Sequence, residues 1–293
     1  MHMKTPHTFQ HLLLTTIFSV LITGQTAIAA QESSSSVIPN SGLYLGVGAS
    51  LNSTQFNGQT ITGTGLTADT VLGRTAYGIG SGQTGVAMGP SYSIAPSVQV
   101  GYFQKLDKSD YLWGAKLNYS YLAGSPSTTY NVNIPQYGFF PNGKPLTGGN
   151  AVAGSYQKAI TNQYSLIPYF GKSFERSTIY FGVGPTYSQV RSTTNNLVGY
   201  AAVDGRTVNV TGAPQSFISS QWVYGGAAMI GGSYFIDSAW FVDLTYTYAM
   251  TQNKTSYRDS PFSNPPTTGQ LVGTGSGTAT IQTLGITLNK LFN

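Results

Sequence analysis

The feature that most constrains this chain is a repeated pair of alternating runs, in which large apolar residues alternate with small or polar ones. Three such pairs occur, and each is joined by a short charged turn. A period of two is the signature of β-strands with two different faces, and two runs around a short turn form a β-hairpin. One further run lies at each end of the chain, so eight strands are predicted. The pairs span residues 97–122, 164–190 and 221–250, and the single runs span 43–50 and 279–292.

The segments between these units are long and rich in Gly, Ser, Thr, Asn and Pro, and we interpret them as loops. They cover residues 51–94, 123–162, 192–220 and 251–277. Four long connections thus alternate with three short turns, as in an all-β, antiparallel up-and-down barrel with both termini at one end. Ten strands remain an alternative, because the sequence TITGTG near Thr60 is compatible with an additional hairpin.

Two other folds compete with the barrel. The first is a membrane helix over residues 221–236, where glycines blur the alternation and leave the register of the strand open. About sixteen residues are too few for such a helix, which needs roughly 20. A soluble β-sandwich also consists of alternating strands and turns.

Charge placement favours a membrane barrel over the sandwich. Only Lys116, Asp243 and Lys290 fall inside predicted strands, and an unpaired charge facing lipid at mid-depth costs roughly 2 to 4 kcal/mol. Trp113 and Trp240 both lie near the start of a strand that leaves the short-turn end, which predicts an aromatic girdle on the periplasmic side. A second belt is predicted near the other end, formed by tyrosines that have the lipid-facing parity of their own strands: Tyr119, Tyr121, Tyr187, Tyr246 and Tyr248.

The first thirty residues have the pattern of a secretory signal peptide. Lys4 precedes an apolar run that ends in Ala27-Ile28-Ala29-Ala30. We therefore expect cleavage of residues 1–30 and a single outer-membrane domain over residues 31–293.

Composition argues against most chemical functions. All three histidines lie in the predicted signal peptide, and the chain has no cysteine, so we expect no enzyme activity, no metal and no cofactor. The formal net charge is +5, but the basic residues are scattered among acidic ones, which argues against nucleic-acid binding.

Lys116 and Asp243 form the one predicted internal site. Each lies three residues beyond a girdle tryptophan and has the parity of the barrel interior, so the two should lie at similar heights on opposite strands. Because a lone buried charge is costly, we expect an ion pair across the lumen. The favoured interpretation is that it plugs the lumen and fixes register, and the alternative is a gate.

The chain resembles the eight-stranded outer-membrane barrel superfamily that includes the OmpA transmembrane domain and the opacity-like surface proteins. The resemblance is carried by LYLGVGAS at residues 43–50, IYFGVGPTYSQV at 179–190 and TLGITLNKLF at 283–292. It implies that the last strand contains a signal read by the barrel-insertion machinery, formed here by Thr283, Gly285, Leu288 and Phe292. Lys290 stands where that pattern has an apolar residue.

These observations predict a non-enzymatic, monomeric surface protein of the Gram-negative outer membrane, in contact with lipid and lipopolysaccharide. Its role would be structural or adhesive, through extracellular segments that bind a host or surface ligand. The aromatic residues of those segments resemble a binding surface: Tyr77, Tyr92, Tyr130, Tyr137, Phe139, Phe140 and Tyr200. The alternative is a narrow channel of the OmpW type for small hydrophobic or polar solutes.

Overall fold

Long antiparallel strands account for nearly all of the chain that the structure describes. The computed structural model describes residues 37–71, 74–122, 126–139, 145–203, 206–265 and 267–292, so the predicted signal peptide lies outside it. Within these ranges there is no helix able to cross a bilayer. The strands are β1 (Ser41–Val71), β2 (Arg74–Val86), β3 (Ser91–Lys105), β4 (Tyr111–Tyr121), β5 (Ser127–Phe139), β6 (Pro145–Ser173), β7 (Ser177–Val203), β8 (Arg206–Asn209), β9 (Gln215–Phe235), β10 (Trp240–Thr251), β11 (Ser256–Asn264) and β12 (Thr267–Phe292).

Eight of these strands form a closed ring, called the lower ring here, in the order β1-β3-β4-β6-β7-β9-β10-β12. Every neighbouring pair is antiparallel, and β12 pairs with β1 to close the ring. The predicted all-β barrel of eight strands is confirmed, and a two-sheet sandwich is excluded because the ring has no open edge.

The register of the ring fixes its size. Following ladder partners from Leu43 through all eight strands returns to β1 at Ser53, ten residues further along. With ordinary strand spacings this shear gives a tilt of about 40° and a bore that side chains fill.

Short turns join the ring strands where charged residues interrupt the alternation. Lys108 has a φ of 57° in the turn between β3 and β4. In the turn between β9 and β10, the Asp237 carboxylate accepts hydrogen bonds from the backbone N–H groups of Ala239 and Trp240, at 2.7 and 2.8 Å. Such Asp-centred turns are favoured because the carboxylate replaces a backbone acceptor.

The four long connections are mostly strand, unlike the loops expected for residues 51–94, 123–162, 192–220 and 251–277. β1, β6, β7, β9 and β12 continue beyond the lower ring, while β2, β5 and β11 take the places of β3, β4 and β10. We call this continuation the upper storey; it comprises the residues described by the structure within 57–86, 127–160, 191–222 and 256–278. Backbone ladders join these strands, and apolar side chains such as Ile61, Ile134 and Leu197 are buried inside them.

The hairpin suspected near Thr60 is real but does not add to the ring. Thr60 lies within β1 and pairs with Gly85 of β2 on one side and Ser276 of β12 on the other. The number of ring strands therefore stays at eight.

The glycine-rich strand β9 keeps strict alternation through residues 221–235. Its buried positions include Val223, Ala227, Met229 and Phe235, while Tyr224 and Ile230 are exposed. Its ladders with β7 and β10 carry no register shift in this stretch, which settles the register that the glycines left open.

Candidate functional sites in the lumen and on the upper storey

Glycines on the inner face of the lower ring make room for tyrosine rings from neighbouring strands. A Cβ atom at Gly101 would overlap the Tyr44 ring, and one at Gly231 would overlap the Tyr180 ring. These two inward glycines thus allow large side chains to lie flat across the wall.

The structure brings Lys116 and Asp243 together at the centre of this lumen. The Lys116 Nζ lies 2.7 Å from the Asp243 Oδ2, and the two residues are 2% and 1% exposed. β4 and β10 are opposite strands of the eight, so the pair spans the whole bore.

Neighbouring side chains complete the hydrogen bonding of both charges. The Asp243 Oδ1 accepts from the Tyr180 hydroxyl and, at 2.9 Å, from the Ser233 hydroxyl. The Lys116 Nζ also donates to the Tyr180 oxygen at 2.7 Å and lies 4.4 Å from the centroid of that ring. A buried charge pair is tolerable only with this kind of full satisfaction.

Gln99 links the pair to the closing strand. Its Nε2 lies 3.2 Å from the Asp243 Oδ2, 2.8 Å from the Thr287 Oγ1 and 2.6 Å from the Asn289 Oδ1. The network thus connects β3, β4, β7, β9, β10 and β12, which ties most of the ring to one cluster.

Apolar side chains form a floor between this network and the short-turn end. Phe103, Leu112, Phe235 and Phe241 are all buried there, and the Phe235 and Phe241 rings stack at 4.8 Å. The remaining cavity beside Tyr44 and Lys116 has a volume of about 20 Å³. That is room for about one water molecule, so the lumen is filled at this level.

The outer face of the lower ring is apolar and carries aromatic side chains at both ends. Trp113 and Trp240 are exposed beside the short turns, and the Lys290 Nζ lies 5.8 Å from the Trp240 ring centroid. At the other end, ring contacts of 4.8 to 5.8 Å connect a row on four strands: Tyr119, Tyr164, Tyr187, Trp222 and Tyr224.

The residues of the predicted assembly signal divide between the two faces of β12. Gly285 faces the lumen, as does Thr283, whose hydroxyl donates to the Asn52 Oδ1 at 2.8 Å. Leu288 and Phe292 are exposed on the outer face.

A second buried cation lies inside the upper storey. Lys158 on β6 is 4% exposed, and its Nζ donates to the Gln59 Oε1. In the part of the chain that the structure describes, it has no carboxylate partner, and burial lowers its pKa to about 8. The Gln59 amide is in turn held by the carbonyls of Asn57 and Thr278, at 2.7 and 2.9 Å.

Sequence reasoning missed several of these residues. Tyr180 has the same parity as Gly182 on its strand, and Gln99 has the same parity as Gly101 on its strand. Parity could therefore have placed both side chains in the lumen. Lys158 lies in a segment that we interpreted as a loop, and alternation assigns a side chain to one face only within a strand. Its burial could therefore not be predicted. Trp222 lay in the strand of uncertain register.

The loop aromatics fall in different environments. Tyr92, Tyr130 and Tyr137 are exposed on strands, and Tyr200 is half-buried on β7. Phe140 lies outside the described residues, as do the side chains of Tyr77 and Phe139.

The sequence matches no family model and no curated protein significantly. Among solved structures, the chain is similar to the outer membrane protein OprG from Pseudomonas aeruginosa, with 9% identity and a TM-score of 0.40 over 88% of this chain and 100% of that one. It is also similar to Ail, the attachment invasion locus protein of Yersinia pestis, with 10% identity and a TM-score of 0.25 over 76% and 98%. The outer membrane protease OmpT from Escherichia coli matches with 12% identity and a TM-score of 0.29 over 85% and 97%.

Proposed function

We propose that this chain is a non-enzymatic surface protein of the outer membrane with a structural or adhesive role, carried by its upper storey. One observation supports this most: the lower ring is apolar outside, between two rows of aromatic residues, while its interior is filled. The ring strands β4 and β10 contain 11 and 12 residues, about the length that a barrel strand needs to cross the hydrocarbon layer. The short turns then face the periplasm, and the upper storey projects from the cell.

The length of the strands supports a display role. β1 contains 31 residues, whereas a membrane-spanning strand needs about 9 to 11. The rest of β1, with the other strands of the upper storey, forms a packed structure in the external medium. A rigid scaffold of this kind holds exposed side chains at fixed positions, which lowers the entropy cost of binding.

Two tyrosines on β5 are the best candidates for the contact with a ligand. Tyr130 and Tyr137 are 71% and 73% exposed. Thr129 and Asn131 flank Tyr130, and Gln136 and Gly138 flank Tyr137. Exposed tyrosines combine an apolar ring with a hydroxyl and lose little entropy on binding.

Adhesion of expressing cells tests this role. Bacteria without other adhesins would express the full chain and be counted on cultured epithelial cells and on a fibronectin-coated surface. We expect attachment above the vector control, and a loss of it in the variant Tyr130→Ser/Tyr137→Ser. The matched control is Tyr92→Ser, an exposed tyrosine lower on the wall.

Planar-bilayer recordings distinguish the channel alternative. We expect no stable conductance steps, because the ion pair and the apolar floor fill the lumen. Regular conductance from the wild-type protein, together with equal attachment of the wild type and the Tyr130→Ser/Tyr137→Ser variant, would favour the channel.

A further inference from the structure

The outer surface is layered where the lower ring meets the upper storey on β6, β7 and β9. The row of aromatic rings described above forms the first layer. Next comes a row of polar groups: the Asn162 Nδ2 donates to the Gln189 Oε1 at 2.6 Å, and the Gln189 Nε2 donates to the Ser220 Oγ at 3.0 Å. This order, apolar rings and then amides, follows the change from acyl chains to sugar head groups in an outer leaflet.

Three cationic side chains lie beside and beyond the polar row. Arg191 is exposed on β7, four residues beyond Tyr187, and it pairs in the ladder with Ser220 of β9. Four residues of strand at this tilt correspond to a height of about 10 Å. The positive charge of Arg191 therefore stands about one head group above the aromatic row.

Lys254 and Arg258 lie on the other side of β9. The Lys254 Nζ donates to the Trp222 carbonyl at 2.8 Å, and the Arg258 Nε donates to the Ile218 carbonyl at 2.9 Å. Ser220 lies between these two carbonyls on β9, so Arg191, Lys254 and Arg258 surround the same stretch of strand. The two hydrogen bonds also fix the positions of two long side chains, which reduces the entropy cost of binding an anion.

The cations on this surface have no acidic partners. Within the described ranges, the single ion pair is that of Lys116 and Asp243 in the lumen. Asp259, the acidic neighbour of Arg258 in sequence, accepts a hydrogen bond from the Gln270 Nε2. The positive charge is therefore available for an external anion.

The opposite wall at this height is uncharged where the structure describes it. On β1 and β12, Asn57 bonds to Thr280 and Thr60 bonds to Ser276 through side-chain amide and hydroxyl groups. A uniform positive rim would suggest general attraction to a negatively charged surface. Confinement to the face formed by β7, β9 and the start of β11 indicates a site instead.

We propose that Arg191, Lys254 and Arg258 bind the phosphate groups of lipid A, the anionic glycolipid of the outer leaflet, while Asn162, Gln189 and Ser220 contact its sugars. Its acyl chains then lie against the aromatic row and the apolar wall below it. Arginine suits this role because its guanidinium presents paired donors to phosphate oxygens. The site rests on the outer-membrane placement proposed above and names a specific lipid for it.

Fluorescence of Trp222 reports on this site directly. The full chain has three tryptophans, so Trp113→Phe/Trp240→Phe leaves Trp222 as the single reporter. This protein, refolded in zwitterionic detergent, would be titrated with bisphosphorylated lipid A, with the same lipid after removal of both phosphates, and with inorganic phosphate. We expect a saturable change with bisphosphorylated lipid A and binding weaker by about tenfold or more without the phosphates.

Matched charge variants decide whether the named residues are responsible. We expect Arg191→Gln/Lys254→Gln/Arg258→Gln to weaken lipid A binding by about tenfold or more, and more strongly at low salt than at high salt. The control Lys108→Gln/Lys172→Gln/Lys290→Gln removes the same charge from exposed residues at the periplasmic end and should leave binding unchanged. Heat-modifiable gel mobility would show that both variants are folded.

Three results would overturn the proposal: equal weakening in both triple variants, equal affinity for lipid A with and without phosphate, or the same saturable change with millimolar inorganic phosphate alone. Membrane fractionation of expressing cells tests the outer-membrane placement separately. Lipid A binding by a protein that does not fractionate with the outer membrane would contradict the proposed function and not the site.

Discussion

Lys116 on β4 and Asp243 on β10 lie on opposite strands of the eight-stranded ring, and their side chains meet at 2.7 Å across the lumen. Because both groups are almost fully buried, neither has water to replace a lost partner. The pair therefore links opposite walls of the ring, and each buried charge is stabilised by the other.

Removal of one half of this pair should destabilise the barrel. Asp243→Ala leaves the Lys116 ammonium buried without its carboxylate, and such a loss costs about 3 to 5 kcal/mol. Urea unfolding in detergent, followed by tryptophan fluorescence and heat-modifiable gel mobility, measures the effect. The double variant Lys116→Met/Asp243→Leu fills the space without charge and should recover most of the stability. Equal losses in the single and double variants would mean that packing, and not charge, is decisive.

Close approach of Tyr180 to Gly231 gives a second prediction. Gly231→Ala places a methyl group where the Tyr180 ring lies, which should displace the hydroxyl that bonds to Asp243. Overpacking of this kind costs about 1 to 3 kcal/mol. Gly226→Ala is the matched control on the same strand, because a Cβ atom there has open space. The urea midpoint should fall for Gly231→Ala alone, and similar midpoints for both variants would contradict the role of the glycine.

The sequence predicted the lower ring well because its two faces differ in polarity. Outward positions there are mostly apolar, and inward positions such as Gly101 and Thr287 are small or polar, so a period of two is visible. Parity then placed Lys116 and Asp243 in the lumen without any structure. It did not reveal Tyr180 as a shared partner, since a tyrosine of inward parity has no unusual feature in the sequence.

The strands of the upper storey were not predicted, because they lack this contrast between apolar outward and polar inward residues. Outward residues of its strands, such as Thr62 and Thr274, are as polar as those of a loop. Its strands are recognised only through their partners, as where β1 pairs with β2 and β12 together. A single sequence carries no record of those long-range ladders.

The exposed aromatic residue near the end of β12 should affect assembly more than stability. The resemblance to outer-membrane barrels predicts that Phe292 belongs to a signal that the insertion machinery reads. Phe292→Ala should therefore slow the appearance of folded protein in pulse-labelled cells, while folding of the purified chain into detergent is unchanged. Phe170→Ala removes an exposed aromatic residue next to Trp113 and serves as control. The same delay in both variants would argue against a special role for Phe292.

Lys158 makes the stability of the upper storey depend on pH. Burial lowers its pKa from 10.5 to about 8, so between pH 8 and 10.5 the unfolded chain holds a proton that the folded chain has released. Stability should consequently rise as pH increases through this window, by up to about 3 kcal/mol, and should be lowest below pH 8, where the buried ammonium is charged. Urea unfolding at pH 7 to 11, compared with Lys158→Met, isolates this contribution, because other titrating groups cancel in the difference. We expect the wild-type protein to gain on the variant across the window; parallel curves would show that Lys158 keeps an ordinary pKa and that its site in the upper storey is open to water.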